Sequence, residues 1–134
     1  DIGAAIGRVQ LRRLPDFNLR RKNNAIELTK LLEGIEGVTL PELKSQFEHA
    51  WHQYTILVED RASLANYLKS HGIGTGVYYP RLISEYPHLN SFKGVTPVAD
   101  EMVKKVISLP VHASLSESEL NEVGKMVKRW AEEI

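Results

Sequence analysis

The sequence predicts an α+β domain, in which a small, mostly antiparallel sheet of three or four strands carries helices packed on one face. Long stretches with apolar residues at helical spacing alternate with short runs typical of strands. The clearest strand-like run is 52–58, where apolar and polar residues alternate and aromatic and β-branched residues are frequent. A length of 134 residues suits one domain, and we expect a single one.

Composition argues against several classes of function. Lys plus Arg and Asp plus Glu are 17 each, so the formal net charge is zero; a dedicated nucleic-acid-binding protein usually has a clear basic excess. There is no cysteine for disulfide or thiolate chemistry, which makes a cytoplasmic location the natural expectation. No apolar run approaches the ~20 residues of a membrane span. The chain begins with Asp1 directly in a helical pattern, so we expect a piece of a longer protein.

Two helices are predicted at the start of the chain, divided at Pro15, because proline lacks the N–H that a helix interior needs. The first covers residues 2–14 and repeats apolar side chains at helical spacing: Ile2, Ala5, Ile6 and Val9. The second covers residues 16–33 and should end at Gly34 or Gly37. Its buried stripe is predicted at four positions: Ala25, Leu28, Leu32 and Ile35.

The sheet and its middle helix are predicted from the next segment. Short strands are expected at 38–40 and 52–58, with His52 beginning the second alternation. Asp60 is a suitable N-cap for a helix over 61–70. This order of elements favours antiparallel pairing with helices on one face.

The last third of the chain is predicted to be mainly helical. Residues 81–95 read as a loop, and Thr96-Pro97 opens a helix that continues to Val106. Residues 107–111 are a short strand or an extended link. Residues 116–119, Ser-Glu-Ser-Glu, form a capping box that starts the final helix. The apolar stripe of that helix is Leu120, Val123, Val127, Trp130 and Ile134.

We call residues 71–80 the rim, because this glycine-rich stretch is the part of the chain best suited to face a ligand. Its three glycines allow tight turns and close backbone approach. Residues 75–79 are predicted as a short strand that presents Tyr78 and Tyr79 on opposite faces, and Pro80 ends that strand. The glycine spacing is not G-x-G-x-x-G and no helix follows directly, so phosphate binding by the rim is not favoured.

Other chemistries find little support. His49 and His52 straddle a loop-to-strand transition, where their spacing does not converge on a metal, and no H-E-x-x-H occurs. No serine lies in a G-x-S-x-G context, so hydrolase activity is not favoured. A basic cluster occupies the first two helices: Arg8, Arg12, Arg13, Arg20, Arg21 and Lys22. It fits either recognition of phosphate or carboxylate groups or a helix face turned to solvent or to a partner domain.

Four stretches, taken together, resemble one family. They are residues 4–11 (Ala-Ala-Ile-Gly-Arg-Val-Gln-Leu) with Leu14 and Arg20-Arg21 following, residues 49–54 (His-Ala-Trp-His-Gln-Tyr), the rim, and Pro-Val-Ala at 97–99 leading to Ser-Leu-Pro-Val-His at 108–112. Their order and spacing resemble the C-terminal part of the DegT family, which comprises pyridoxal-phosphate-dependent sugar aminotransferases of fold type I. The resemblance covers nearly the whole chain.

The resemblance implies that a large N-terminal domain, absent from this chain, holds pyridoxal phosphate and supplies the Schiff-base lysine. No catalytic or cofactor-binding residue and no metal ligand is therefore assigned here, and no cofactor is expected in this piece. Residues 1–34 would connect the large domain to a small domain at 35–134. The small domain would close one side of the cleft in a homodimer that moves an amino group, typically from glutamate, to a nucleotide-linked keto-sugar. Alone, the piece would be inactive.

By the same resemblance, substrate contacts are expected from Tyr78, Tyr79, Arg81 and Ser84. The family often has Val-His-Tyr-Pro where this chain has Val-Tyr-Tyr-Pro at 77–80, and a histidine where this chain has Ser84. These departures leave the sugar open, along with the alternative of a catalytically altered relative such as a dehydratase. A second hypothesis is a stand-alone ligand-binding or regulatory interaction module, which the zero net charge and the aromatic rim permit.

Overall fold

A three-stranded antiparallel sheet forms the centre of the computed structural model, which describes residues 1–44, 46–92 and 94–133. The strands are β1 (Val38–Thr39), β2 (Tyr54–Val58) and β3 (Val106–Leu109), and they lie in the order β1-β2-β3. Tyr54 lies opposite Leu109, and Ile56 opposite Ile107. The α+β prediction with an antiparallel sheet is confirmed.

Four α-helices occur within the described ranges: α1 (Ile2–Leu32), α2 (Arg61–Ser70), α3 (Pro97–Lys105) and α4 (Glu117–Glu132). Two 3-10 helices, Ile83–Glu85 and Pro87–Phe92, lie where the sequence predicts a loop. Asp60 caps α2 as predicted, because its carboxylate accepts a 2.9 Å hydrogen bond from the Ser63 N–H. Along the part of the chain that the structure describes, no helix has both the length and the apolar character to cross a bilayer.

The core lies between one face of the sheet and helices α1, α2 and α4. Side chains of β2 alternate, with Tyr54, Ile56 and Val58 buried and the intervening two half-buried. The helices contribute apolar side chains to the same cluster: Leu28, Leu32, Leu64, Leu68, Val123 and Val127. The predicted stripes of the second and last helices are thereby confirmed, with Ile35 partly buried and Ile134 outside the described residues.

Helices α1 and α4 approach each other closely at one glycine. A Cβ atom at Gly124 would lie 2.8 Å from the Cβ atom of Leu31, which is closer than two carbon atoms pack. The absence of a side chain at Gly124 thus permits the two helices to bury their apolar faces at this separation.

The prediction of two helices divided at Pro15 is wrong, since α1 runs from Ile2 to Leu32 with Pro15 inside it. Residues 1–16 are exposed. The Leu11 carbonyl, which loses its partner because Pro15 has no N–H, can therefore bond to water at modest cost. The apolar residues of this half stay exposed, at 81% for Ile2 and 58% for Ile6. Only the second half of α1 enters the core.

The prediction of a strand at 75–79 is also wrong. Gly76 and Ser108 exchange two backbone hydrogen bonds of 2.9 and 2.8 Å, and this bridge is isolated. The next pair on one side would need an N–H from Pro110, which has none. On the other side, the Val106 N–H donates to the Met102 carbonyl at the end of α3 and is not available to the rim. Both neighbouring positions are thus unable to extend the ladder.

The ends of α3 and α4 agree with the sequence, with one shift. Helix α3 begins at Pro97 as predicted but ends at Lys105, and Val106 begins β3. The capping box of α4 is present: the Ser116 N–H donates to the Glu119 carboxylate at 2.7 Å, and the Glu119 N–H donates to the Ser116 hydroxyl at 3.3 Å. Two apolar side chains of α3 are exposed, Val98 at 73% and Met102 at 37%.

Candidate functional site

The rim borders a cleft of about 390 Å³ beside β3, which we call the rim cleft. Its walls come from four parts of the chain. Helix α1 contributes Arg21, the segment before β2 contributes residues 52–53, the rim contributes residues 74–76 and Tyr78, and the end of β3 with the following turn contributes residues 108–112. Residues of the rim therefore line a cleft that is available to a ligand, as the sequence suggests.

The rim is fixed at its start by the end of α2. Gly72 has a φ of 78°, in the left-handed region that glycine adopts without strain. The N–H of Ile73 donates to the Leu68 carbonyl at 2.9 Å, which closes the helix. The Gly76 bridge to Ser108 then fixes the rim against β3. A Cβ atom at Gly76 would lie 2.5 Å from Cε2 of Tyr78, so this glycine leaves room for the Tyr78 ring.

Arg61 ties the far end of the rim to the sheet. Its guanidinium donates to the Pro80 carbonyl at 3.4 Å, to the Val106 carbonyl at 3.5 Å and to the Val103 carbonyl. The three acceptors belong to the rim, to β3 and to α3. Sequence reasoning missed Arg61, because its acceptors are backbone atoms 19 to 45 residues away and carry no side-chain signal.

The wall before β2 contains a bulky residue in an unusual backbone conformation. Trp51 has a φ of 47°, which is costly for a residue with a Cβ. Its indole is buried and stacks on Tyr54 with ring centroids 5.6 Å apart. The backbone N–H of Trp51 donates to Nδ1 of His49 at 2.8 Å. The predicted strand start at His52 is wrong, because β2 begins at Tyr54. The turn at Trp51 leaves His52 exposed beside the cleft.

Tyr54 supports this wall from inside the core. Its hydroxyl lies 2.9 Å from the Thr29 hydroxyl of α1. Burial raises the pKa of the Tyr54 phenol above its ordinary value, and the hydrogen bond with Thr29 opposes that shift only in part. The phenol thus acts as a neutral hydrogen-bonding group that joins β2 to α1.

The wall from α1 separates two adjacent arginines. Arg21 lines the rim cleft, whereas Arg20 forms a salt bridge with Asp16 at 3.0 Å. One helical turn after Arg21, the buried Asn24 side chain donates to the His112 carbonyl at 2.9 Å. The basic cluster of the sequence is therefore not one uniform surface.

The structure brings one of the four predicted substrate contacts into the rim cleft. Tyr78 lines it and is 60% exposed, while Tyr79 is 71% exposed on the rim outside it. Arg81 is exposed, and its Cζ lies 5.5 Å from the centre of the Tyr86 ring. Ser84 belongs to a separate apolar depression near the start of α3. The assignment of all four to substrate binding stays a prediction.

The sequence matches the profile of the DegT/DnrJ/EryC1/StrS aminotransferase family over residues 1–128. This chain belongs to that family. It is 34% identical over 134 residues to the erythromycin biosynthesis sensory transduction protein EryC1 of Saccharopolyspora erythraea, covering 98% of this chain and 37% of that protein. It is 31% identical to dTDP-3-amino-3,4,6-trideoxy-alpha-D-glucose transaminase of Streptomyces venezuelae, covering 100% and 36%. This member of the DegT/DnrJ/EryC1/StrS family thus spans little more than a third of these relatives.

Two solved structures share the fold of this family member. DesV of S. venezuelae, in complex with a ketimine intermediate, aligns with a TM-score of 0.92 and 29% identity over 98% of this chain and 36% of that chain. The sugar aminotransferase CalS13 of Micromonospora echinospora aligns with a TM-score of 0.91 and 30% identity over 96% and 34%. The arrangement of α1–α4 around the antiparallel sheet is therefore that of a part of fold type I sugar aminotransferases.

Proposed function

We propose that this chain is the C-terminal part of a pyridoxal-phosphate-dependent sugar aminotransferase. In that role it closes one side of the active-site cleft and contacts a nucleotide-linked keto-sugar. The observation that carries the proposal is the agreement in fold with CalS13, a sugar aminotransferase, over 96% of this chain and 34% of CalS13. A family match over residues 1–128 supports the same conclusion.

The rim cleft does not fit the covalent site of pyridoxal phosphate. Aminotransferases hold this cofactor through a lysine amine. The described residues that line the cleft include arginine, histidine and tyrosine but no lysine. We therefore derive no step through the cofactor from these residues and assign the cofactor in the parent protein to a large N-terminal domain.

The residues of this chain are suited to binding and orienting a substrate. Tyr78 and Tyr79 supply exposed phenols on a rim that is fixed by the Gly76 bridge and by Arg61. A phenol gives both an apolar face and a hydrogen-bonding group, which suits a sugar ring with hydroxyls. Arg81 and Ser84 complete the proposed contacts, although they lie beyond the rim cleft.

The exposed half of α1 supports a neighbouring domain as partner. Ile2, Ile6 and Val9 remain 81%, 58% and 54% exposed on one helix, and exposed apolar side chains in a row are typical of contact surfaces. Residues 1–34 would connect the two domains, and 35–134 would be the small one. The proposal has three further parts. Glutamate is the amino donor, the parent protein is a homodimer in the cytoplasm, and the isolated chain has no activity.

The proposal is tested by assaying the product of the whole gene with pyridoxal phosphate, glutamate and nucleotide-linked keto-sugars. We expect an amino sugar and 2-oxoglutarate in equal amounts. The 134-residue chain alone should show no aldimine absorbance with the cofactor. Stoichiometric aldimine formation by the isolated chain would contradict a cofactor site elsewhere, and an open reading frame without ~250 further residues upstream would remove the large domain.

A regulatory module remains the second candidate, because two relatives carry regulatory names. EryC1 is described as a sensory transduction protein, and a pleiotropic regulatory protein of Geobacillus stearothermophilus is 34% identical over 136 residues. A full-length protein that binds a nucleotide sugar but forms no amino sugar with any amino donor would favour this candidate.

A further inference from the structure

The charged side chains that line the rim cleft are positive and not negative. Arg21 contributes a permanent positive charge to its lining, and no carboxylate is found among the described lining residues. Two imidazoles, from His52 and His112, line the same cleft. Imidazole N–H groups and a guanidinium all donate hydrogen bonds, so the cleft offers donors in excess and a positive potential.

Arg21 is poised for a ligand in a way that Arg20 is not. The Arg20 guanidinium is paired with Asp16 at 3.0 Å. Within the described ranges, Arg21 has no carboxylate within salt-bridge distance and makes a long 3.5 Å contact to the Asn18 amide oxygen. Arg21 is also half-buried, so its charge is partly removed from water and acts more strongly on a nearby anion.

His112 is held on the same side of the cleft as Arg21. Asn24 follows Arg21 by three residues and therefore shares its helix face. Its buried amide donates to the His112 carbonyl at 2.9 Å, which fixes the turn after β3 against α1. The hydrogen bond between Asn24 and His112 thereby limits how far the backbones of Arg21 and His112 can separate.

His52 is held in the wall before β2 by a strained residue, Trp51. The left-handed conformation of Trp51 is maintained by burial of its indole, by stacking on Tyr54 and by the hydrogen bond to His49. Such strain is retained where the surrounding structure over-determines it, and it is frequent at binding sites. Its local effect is to end the preceding loop with His52 exposed at the cleft.

From these three placements we infer that the rim cleft is an oxyanion site, in which Arg21 binds a phosphate or carboxylate group and His52 and His112 donate to it. The identity of the ligand rests on the proposed function, where a nucleotide diphosphate and the carboxylates of glutamate share this chemistry. The planar guanidinium binds either group in a two-pronged manner. Gly74 of the rim also lines the cleft, and because nothing lies within 4 Å of its Cβ position it leaves space for the rest of the ligand.

The test is equilibrium binding to the intact holoenzyme by isothermal titration calorimetry, with inorganic pyrophosphate and glutarate as probes. Neither probe can be transaminated. Arg21→Gln should weaken binding of one probe about tenfold or more, because it removes a charged hydrogen bond. Arg20→Gln, its matched control, should change affinity by less than about twofold. Arg21→Lys should fall between wild type and Arg21→Gln, because it keeps the charge and loses the fork.

The probe whose affinity falls in Arg21→Gln identifies the ligand from which the bound anionic group comes. Weaker binding of pyrophosphate identifies the nucleotide diphosphate, and weaker binding of glutarate identifies the amino donor. Equal effects of the Arg20 and Arg21 variants, unchanged binding in Arg21→Gln, or no binding of either probe by the wild type would overturn the inference. Thermal melts of each variant show whether it is folded. Anion binding that depends on Arg21 in a protein without transaminase activity would refute the proposed function and leave the site standing.

Discussion

The side-chain amide of Asn24 donates a 2.9 Å hydrogen bond to the carbonyl oxygen of His112, 88 residues away in the chain. This contact joins the buried half of α1 to the turn after β3, on the wall of the rim cleft. Asn24 is 8% exposed, so its amide has little access to water as an alternative partner. The bond therefore belongs to the core and shapes the cleft.

Replacing Asn24 by Ala should lower the free energy of unfolding by about 1 kcal/mol, because one hydrogen bond is lost while the His112 carbonyl keeps its bond from the Leu115 N–H at 3.2 Å. The neighbouring Asn23 is exposed, and Asn23→Ala should stay within about 0.5 kcal/mol of wild type. Urea denaturation of both variants measures the difference. Helix propensity favours Ala over Asn at both positions, so equal changes in the two variants would show that the hydrogen bond to His112 contributes nothing measurable.

Two helical glycines should respond to Ala with opposite signs. At Gly124 the new methyl group would meet Leu31 at 2.8 Å, and we expect destabilisation by about 1–3 kcal/mol. At Gly7 nothing lies within 4 Å, so Gly7→Ala should stabilise α1 by up to about 1 kcal/mol through helix propensity. Thermal melts compare the pair. A stable Gly124→Ala variant would mean that α1 and α4 can separate at little cost.

Tyr54 should make stability fall at alkaline pH. Its pKa in the folded protein is raised by burial above the ordinary 10.0, so the unfolded chain loses the phenol proton first. The stabilisation is fully present below the unfolded pKa and is lost as pH rises through the folded pKa. Tyr54→Phe should cost about 1 kcal/mol at neutral pH, through the lost bond to Thr29, and should reduce the alkaline fall.

Denaturation followed from about pH 8 to about pH 11 tests this dependence. Tyr79→Phe is the control, because its phenol is 71% exposed, and it should keep the alkaline fall of the wild type. An unchanged fall in Tyr54→Phe would assign the alkaline sensitivity to other groups.

The capping box should give an acid dependence of the opposite sign. The Ser116 backbone N–H, and then its hydroxyl, donate to Glu119 and hold the pKa of that carboxyl below the ordinary 4.5. Its stabilisation is present above the unfolded pKa and is lost as pH falls through the lowered folded pKa. Glu119→Gln should lower Tm near neutral pH and have little further effect in strong acid.

Glu117 provides the matched control for this prediction. It also lies in the first turn of α4, where a negative charge favours the helix dipole. Glu117→Gln should lower Tm less than Glu119→Gln if the hydrogen bonds to Ser116 dominate. Equal decreases in the two variants would assign the effect to the dipole alone.

Replacing Tyr79 by Phe in the full-length parent should weaken sugar binding more than it affects folding. The change removes one hydroxyl from a side chain that is 71% exposed, so packing is hardly altered. A lost hydrogen bond to substrate predicts a KM increase of several-fold or more. Unchanged turnover and KM would remove Tyr79 from the site.

Local signals in the sequence predicted much of the fold. The Asp60 and Ser116 caps and the β-branched alternation of β2 depend on residues within a few positions of each other, and the structure confirms all three. The wrong predictions concern segments whose secondary structure depends on their surroundings in the fold, which a local sequence pattern does not contain. Continuity at Pro15 depends on exposure of the surrounding turn. The rim strand is interrupted by Pro110, which has no N–H, and by the bond of the Val106 N–H to Met102, and no local pattern connects these residues to the rim.

The rim cleft shows the same limit. The glycines and tyrosines of the rim were visible in the sequence as a ligand-facing element. The adjacent arginines at 20 and 21 looked alike, and only the Asp16 salt bridge and the fold separate them. Asn24 and Trp51 carried no functional signal, because their roles arise from contacts with His112 and from backbone geometry.

The exposed first half of α1 is a long arm, so a small bend at its base moves its tip by a large distance. Residues 2–16 precede the first half-buried side chain of the helix, Phe17, and at 1.5 Å per residue they extend roughly 22 Å. Pro15, where one backbone hydrogen bond is missing, lies at the base of this arm. A bend of ~10° there would displace the tip by about 4 Å. Slight changes in curvature at a single residue therefore translate into movements large enough to open or close a gap the width of a water molecule.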